Sequence, residues 1–364
     1  MIRGEAALCG FALFLEVAMK RVLVVFTGGT ISSGFTAKDI KGPRADVSAK
    51  LHDYVASFFH EKDVEVTCRE PWGVPGLDSS ELTPVHWVHM TAIIAEELEK
   101  GASGVLILHG TDTMAWSSAW LSLCFSGAGV PVVLTGSQLT LDYTPEDVTV
   151  NLRGAAQVVC SGISGVWIYC NWKLIPGARA HKARALHPDA FAPIGSIPLY
   201  FSPDWAQKGA ETGNSIRKCV ELSDQLKSIL QRKPQEIQSV CSRVGWLVCQ
   251  PGVYGNPSGK EDILVIWGYG SGNAEPVALA GIKAVWSGKR KPQVIACSQA
   301  EGDVKNPVSY GDVGIASLSS DGFVVWGQMD YPVEFIHALA CFSLLADPEA
   351  PETILSRFLK RYEP

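Results

Sequence analysis

The chain has 364 residues, with 31 Lys and Arg against 37 Asp and Glu and a formal net charge of −6 at pH 7. That length exceeds one ordinary core of roughly 100–200 residues and points to two domains. The acidic balance argues against a general attraction to nucleic acid or anionic lipid, so the expected partner is a small molecule, with no nucleic acid and no membrane. Ten cysteines are scattered without a C-x-x-C pair. This excludes the usual zinc spacing and a tight disulfide scaffold, and suggests small buried hydrophobes in a reducing, cytoplasmic setting.

In chain order, the first segment, "MIRGEAALCGFALFLEVA", has an apolar run that Glu5 and Glu16 interrupt. It is too short to span a membrane and reads as a non-essential extension, residues 1–19. Short runs rich in Val, Ile and Leu then recur at "RVLVVF", "GVLIL", "VPVVL", "GVWIY", "VGWLV", "ILVIW" and "PQVIAC". Separated by helix-like segments, they predict an α/β fold with mostly parallel sheets covered by helices. Thr83, Pro84 and Gly101 bracket a helix from about 84 to 100. Further helices are expected after Asp112 and after Asp147. Residues 213–240 read as a linker with one helix. The expected units are thus a larger doubly wound N-terminal domain over 20–212 and a smaller α/β domain over 241–364.

Three polar clusters each follow an apolar strand: Thr27-Gly28-Gly29-Thr30, His109-Gly110-Thr111-Asp112-Thr113 and Thr135-Gly136-Ser137-Gln138. Strand carboxyl ends of an open parallel sheet share the edge where ligands bind, so the clusters are expected to converge. The glycines permit a sharp turn and close backbone approach. A phosphate loop does not fit, since no G-x-x-x-x-G-K-[ST] pattern follows, and "GYGSGN" at 268–273 has Asn where a dinucleotide motif has its last Gly. A threonine hydroxyl needs a base to become a nucleophile. Thr111 and Asp112 at a strand end, with Lys182 in "PGARAHKARALHPDAF", offer one: a lysine kept near neutrality by burial and held by an aspartate. The plainer alternative, a surface lysine and a capping aspartate, stands beside it.

Four stretches, "TGGTI" at 27–31, "DSSELTP" at 78–84, "HGTDTM" at 109–114 and "GYGSGN" at 268–273, make the chain from Lys20 onward resemble the bacterial-type L-asparaginase/glutaminase family. "PVVLTGSQ" at 131–138 and the spacing from Asp147 to Asn151 resemble its cytoplasmic, type I branch. The resemblance implies hydrolysis of the side-chain amide of L-asparagine to L-aspartate and ammonia through an acyl-enzyme, without metal or organic cofactor. It matches Thr30 to the primary nucleophile, and Thr111, Lys182 and Asp112 to a second set that activates water, in which Lys is the base and Asp orients it. It places Ser79, Thr111 and Asp112 around the substrate's α-carboxylate and α-amino groups and counts Ser80 among the substrate-binding residues, its side-chain role left open. Asn273 resembles a residue that reaches into a neighbouring subunit's site, so a homodimer or homotetramer is expected. As an alternative to this last set, Ser79 reads as a simple helix cap before "ELTP".

The departures are specific. The resemblance leads one to expect a tyrosine after "TGGTI", where "SSGFTAKDIKGPRADVSAKL" has only Phe35. A phenyl ring can close a pocket but cannot donate a hydrogen bond. Val148 follows Asp147 in place of the family's more usual Gly, and "CSQAEGDVKNPVSYG" lacks the cysteine found beside an effector site in some type I enzymes. The alternatives to asparagine hydrolysis are an amidase preferring glutamine, a D-isomer or another small amide, and a non-catalytic amino-acid-binding relative. An ammonia-supplying protein acting on a transfer-RNA-bound amino acid fits the acidic chain less well.

Overall fold

The computed structural model describes residues 20–35, 41–202, 223–253, 255, 257–301 and 314–363. The expected N-terminal extension, the loop residues 36–40 and the side chain of Phe35 lie outside the described residues.

The chain opens with β1 (Lys20–Phe26), a short hairpin of β2 (Ser33–Phe35) and β3 (Lys41–Pro43), α1 (Ala45–His60) and β4 (Val64–Arg69). There follow α2 (Pro84–Glu99), β5 (Gly104–Leu108), α3 (Met114–Phe125), β6 (Pro131–Thr135), α4 (Val148–Ser161) and β7 (Gly165–Cys170). Four short strands come next: β8 (Lys173–Pro176), β9 (Ala180–Lys182), β10 (Phe191–Pro193) and β11 (Leu199–Tyr200). The first sheet has the order β11-β8-β7-β6-β5-β1-β4, parallel from β4 to β7 and antiparallel at β8 and β11.

Each central strand is apolar on both sides because helices cover both faces. Val22, Val24 and Phe26 of β1 pack with α1 and α4, whereas Leu23 and Val25 pack with α2 and α3. Each such fully buried side chain contributes about 1.5–3 kcal/mol. Helix α2 starts as its sequence predicts, with Pro84 in the first turn. The His86 ring nitrogen Nδ1 reaches back to accept the Thr83 N–H at 3.1 Å, satisfying a donor that the helix leaves open.

The topology matters for function at one place. From β1 the chain crosses to β4 on one side and then back to β5 on the other. The loops leaving β1 and β5 therefore diverge at a switch point, where a crevice opens at the strands' carboxyl ends.

The rest of the chain forms α5 (Ser223–Leu230), α6 (Pro234–Cys241), β12 (Val244–Val248), β13 (Ile263–Gly268), α7 (Pro276–Val285), β14 (Gln293–Ser298), β15 (Val324–Gly327), α8 (Val333–Ala346), α9 (Glu352–Phe358) and β16 (Lys360–Arg361). The second sheet runs β12-β13-β14-β15-β16, parallel except at β16. Helix α8 is buried almost throughout from Glu334 to Leu345, and its apolar side chains share one core with α2, α3 and the inner faces of both sheets. One expectation is corrected: the segment 213–240, expected to hold one helix, shows two among its described residues, from 223 onward. Pro234 is not an interruption but occupies the first turn of α6, where its missing N–H costs nothing.

Candidate active site

Three loops meet at the switch point because glycines let their backbones touch. Gly29 has φ of +86°, and a Cβ there would lie 2.2 Å from Cα of Gly110. A Cβ on Gly110 would in turn lie 2.6 Å from Oγ of Ser79. The "TGGT", "DSS" and "HGTDT" segments are thus pressed together with no room for a side chain at either glycine. Further bonds fix the arrangement. Thr27 Oγ1 donates to Leu108 O at 2.9 Å, Leu77 N–H to Thr27 O at 2.9 Å, and Thr113 Oγ1 to Ser79 O at 2.7 Å.

Thr30 opens the short turn Thr30–Ser32 directly after Gly29 and is half-buried. Thr111 is 6% exposed. The Lys182 ammonium donates to Thr111 Oγ1 at 3.0 Å and to Asp112 Oδ1 at 2.5 Å. Strand β9 holds that lysine through its antiparallel pairing with β10, Lys182 facing Phe191. The alternative of a surface lysine and a capping aspartate does not describe this pair: the lysine side chain is 16% exposed and points inward, and Asp112 holds it rather than a helix end. With a neutral amine in the same place, the lone pair would meet the hydroxyl proton of Thr111, and the carboxylate would still hold the nitrogen.

Ser79 is buried and does not cap α2. Asp78 precedes the turn Ser79–Glu81 and accepts from both the N–H and the hydroxyl of Ser80, at 2.8 and 2.7 Å. These bonds hold the Asp78 carboxyl below the usual carboxylate range. The Ser80 hydroxyl is thereby engaged away from the Thr111 cluster, whereas the Ser79 hydroxyl stands against Gly110. Asn273 lies in the other sheet's loop after β13, its N–H and C=O both paired with Tyr269. Among the described residues no hydrogen bond links it to Thr111, Asp112 or Lys182.

Two supports are not legible as such in the sequence. The Asp147 carboxylate accepts the N–H groups of Gln138 and Leu139 at 3.0 and 2.9 Å, and Asn151 Nδ2 donates to Gly136 O at 2.9 Å. Together they rivet the loop after β6 to the start of α4, and burial pushes the Asp147 carboxyl up. Val148 forms the first residue of α4 without disturbing these bonds. His109 is fully buried between Gly110 O at 2.7 Å and Ser117 Oγ at 2.9 Å. Burial lowers its pKa to about 4, so it is a neutral spacer under the loop.

Against this geometry, the family described as "Asparaginase, N-terminal" matches residues 21–208, more than half of the chain. The chain belongs to the asparaginase family. Among this family's curated members, L-asparaginase of Thermococcus kodakarensis is 33% identical over 174 residues, 48% of this chain and 51% of that protein. L-asparaginase 1 of Escherichia coli strain K12 is 35% identical over 184 residues, 50% of this chain and 52% of that protein. The chain spans about half the length of the curated relatives it matches. Another relative, 30% identical over 52% of this chain and 43% of its own length, is a glutamyl-tRNA(Gln) amidotransferase component of Haloquadratum walsbyi. The solved thermostable L-asparaginase of Thermococcus kodakarensis has the same fold, with a TM-score of 0.70 at 23% identity, covering 93% of this chain and 96% of that one. Among the described residues, no helix of this asparaginase-family chain is long and apolar enough to cross a membrane.

Proposed function

We propose that the protein hydrolyses the side-chain amide of L-asparagine to L-aspartate and ammonia. The observation that carries this reading is the contact of Lys182 with both Thr111 and Asp112 beside the "TGGT" turn, in a chain of the asparaginase family. Thr30 Oγ1 attacks the amide carbon as a base accepts its proton, backbone donors at the glycine-lined turn stabilise the oxyanion, and that proton passes to the departing nitrogen, so ammonia leaves and an aspartyl ester remains on Thr30. Water, deprotonated by the Thr111–Lys182 pair, then cleaves the ester. Ser79 binds the α-carboxylate and Asp112 the α-ammonium. Asn273 of a second copy completes the pocket in a homodimer or homotetramer.

The competing substrate is glutamine, because one methylene shifts preference by only about 1–3 kcal/mol. The relative named as a glutamyl-tRNA(Gln) amidotransferase keeps a transfer-RNA-bound amide route in view, which a net charge of −6 disfavours. The test is ammonia release by the purified protein from L-asparagine, D-asparagine and L-glutamine, with and without Thr30→Ala. Release from L-asparagine that Thr30→Ala abolishes is expected. Saturable asparagine binding without product would replace the enzyme with a binding protein.

A further inference from the structure

In strand β9 successive side chains point to opposite faces. Lys182 faces Thr111 and Asp112, and His181 faces the other way, into the second half of the chain. There its ring bridges two carboxylates: Nδ1 is 2.8 Å from Glu334 Oε1 in the first turn of α8, and Nε2 is 3.2 Å from Glu301 Oε1 beyond β14. We propose that His181 is a positioning residue for Lys182, a proton-dependent tie that fixes β9 to Glu334 and Glu301 and slackens when the imidazolium loses its proton. It rests on the reading that Lys182 belongs to the reacting set.

The proton requirement follows from valence. A neutral imidazole carries one N–H, so it can donate to only one of two carboxylates, whereas the imidazolium donates to both. Glu334 is 3% exposed, and its Oε2 has no hydrogen-bond partner among the described residues. Its buried charge is thus compensated by the imidazolium. The hydrogen bond to Glu334 raises the His181 pKa, burial opposes it, and the charges of Glu334 and Glu301 add to the rise. The tie is therefore complete below the ordinary histidine range and is lost as pH rises through the raised value.

On deprotonation the single N–H stays with Glu334, which is closer and buried. Nε2 and the Glu301 carboxylate then face each other as two acceptors, and that arm opens. The other charges around β9 hold through this change. Arg179, two residues earlier, donates to Asp330 Oδ1 at 2.7 Å and lies 4.0 Å from the Tyr331 ring centre, and its guanidinium stays charged. Lys182 and Asp112 face the opposite side. The strand remains anchored at Arg179 and slackens at His181, one residue from the lysine whose place against Thr111 is at stake.

The test follows Lys182 directly. Acetylation by acetic anhydride, read by peptide mass spectrometry and normalised to a free amine, is measured from about pH 5 to about pH 9, alongside kcat and KM for L-asparagine. A step up in Lys182 reactivity as His181 deprotonates is expected in the wild type, and no step in His181→Gln. That variant is expected to lose about tenfold in kcat with KM nearly unchanged. In Glu301→Gln, a change at an exposed side chain that spares the core, the amide can accept from the imidazolium or donate to the neutral ring, so the arm holds in both states and the step is expected to vanish. A step that persists in His181→Gln or in Glu301→Gln overturns the proposal. Absence of ammonia release by the wild type would instead overturn the functional reading, and the labelling would still decide the tie.

Discussion

Lys182 Nζ stands 3.0 Å from Oγ1 of Thr111, a residue 71 positions away in the chain. The bond joins the loop after one parallel strand to a short antiparallel pair packed against α3 and β8. Thr111→Val keeps the shape and removes the oxygen. Ammonia release is expected to fall by about a hundredfold or more, with the melting temperature changed by only a few degrees. A loss of activity matched by general unfolding in calorimetry would contradict the role given to that hydroxyl.

The close approach of the two loops makes Gly29→Ala a stringent stability probe. A methyl there meets the Gly110 backbone, and the backbone at φ +86° is itself unfavourable for alanine. Urea denaturation should show a loss of about 2–4 kcal/mol. A variant as stable as the wild type would mean that the loops do not meet as described.

Ser79→Ala addresses substrate binding. Its hydroxyl lies against Gly110, away from the Lys182 contact, so steady-state kinetics should show KM raised about tenfold with a smaller change in kcat. The opposite split, kcat reduced at constant KM, would place Ser79 in the chemical step.

Acid should destabilise the protein through two buried histidines. His109 and His337 are both lowered to about 4 by burial. The unfolded chain binds their protons first, at ordinary histidine pKa values, so stability is full above about 6.5 and falls as pH drops toward 4. Each contributes about 3 kcal/mol of loss across that window, whereas the raised pKa of His181 changes stability only above it, between the ordinary histidine value and its own. His337 accepts from Trp246 Nε1 at 3.1 Å and lies among Trp87, Trp116 and Trp246. His337→Phe should flatten the dependence of unfolding free energy on pH by about half, and an unchanged slope would contradict the assignment.

Much of the frame is legible in the sequence because its strands are buried on both faces. Runs such as "VLVVF" and "GVLIL" need apolar side chains at every position, which sets them apart from the amphipathic helices around them. Strand β4, "VEVTCR", carries no such run because it is an edge strand and largely open to solvent. The second helix of the 213–240 segment is obscured by Pro234, which reads as a break although it starts α6. In the site, Thr30, Thr111 and Asp112 stand out as chemistry following strand ends, and Lys182 as a lysine that the family resemblance matches to a base. The supports do not, because nothing local pairs Asp147 with the N–H groups of Gln138 and Leu139. Likewise no spacing rule joins His181 to Glu301 and Glu334, which only the packing of two sheets brings together.

The central claim is the covalent step at Thr30. The most direct measurement is acid quenching during turnover with L-asparagine, followed by peptide mass spectrometry of the trapped protein. An aspartyl ester on the peptide that contains Thr30, absent in Thr30→Ala, is the predicted result. An ester found on the Thr111 peptide instead, or sustained ammonia release by Thr30→Ala at the wild-type rate, would contradict it.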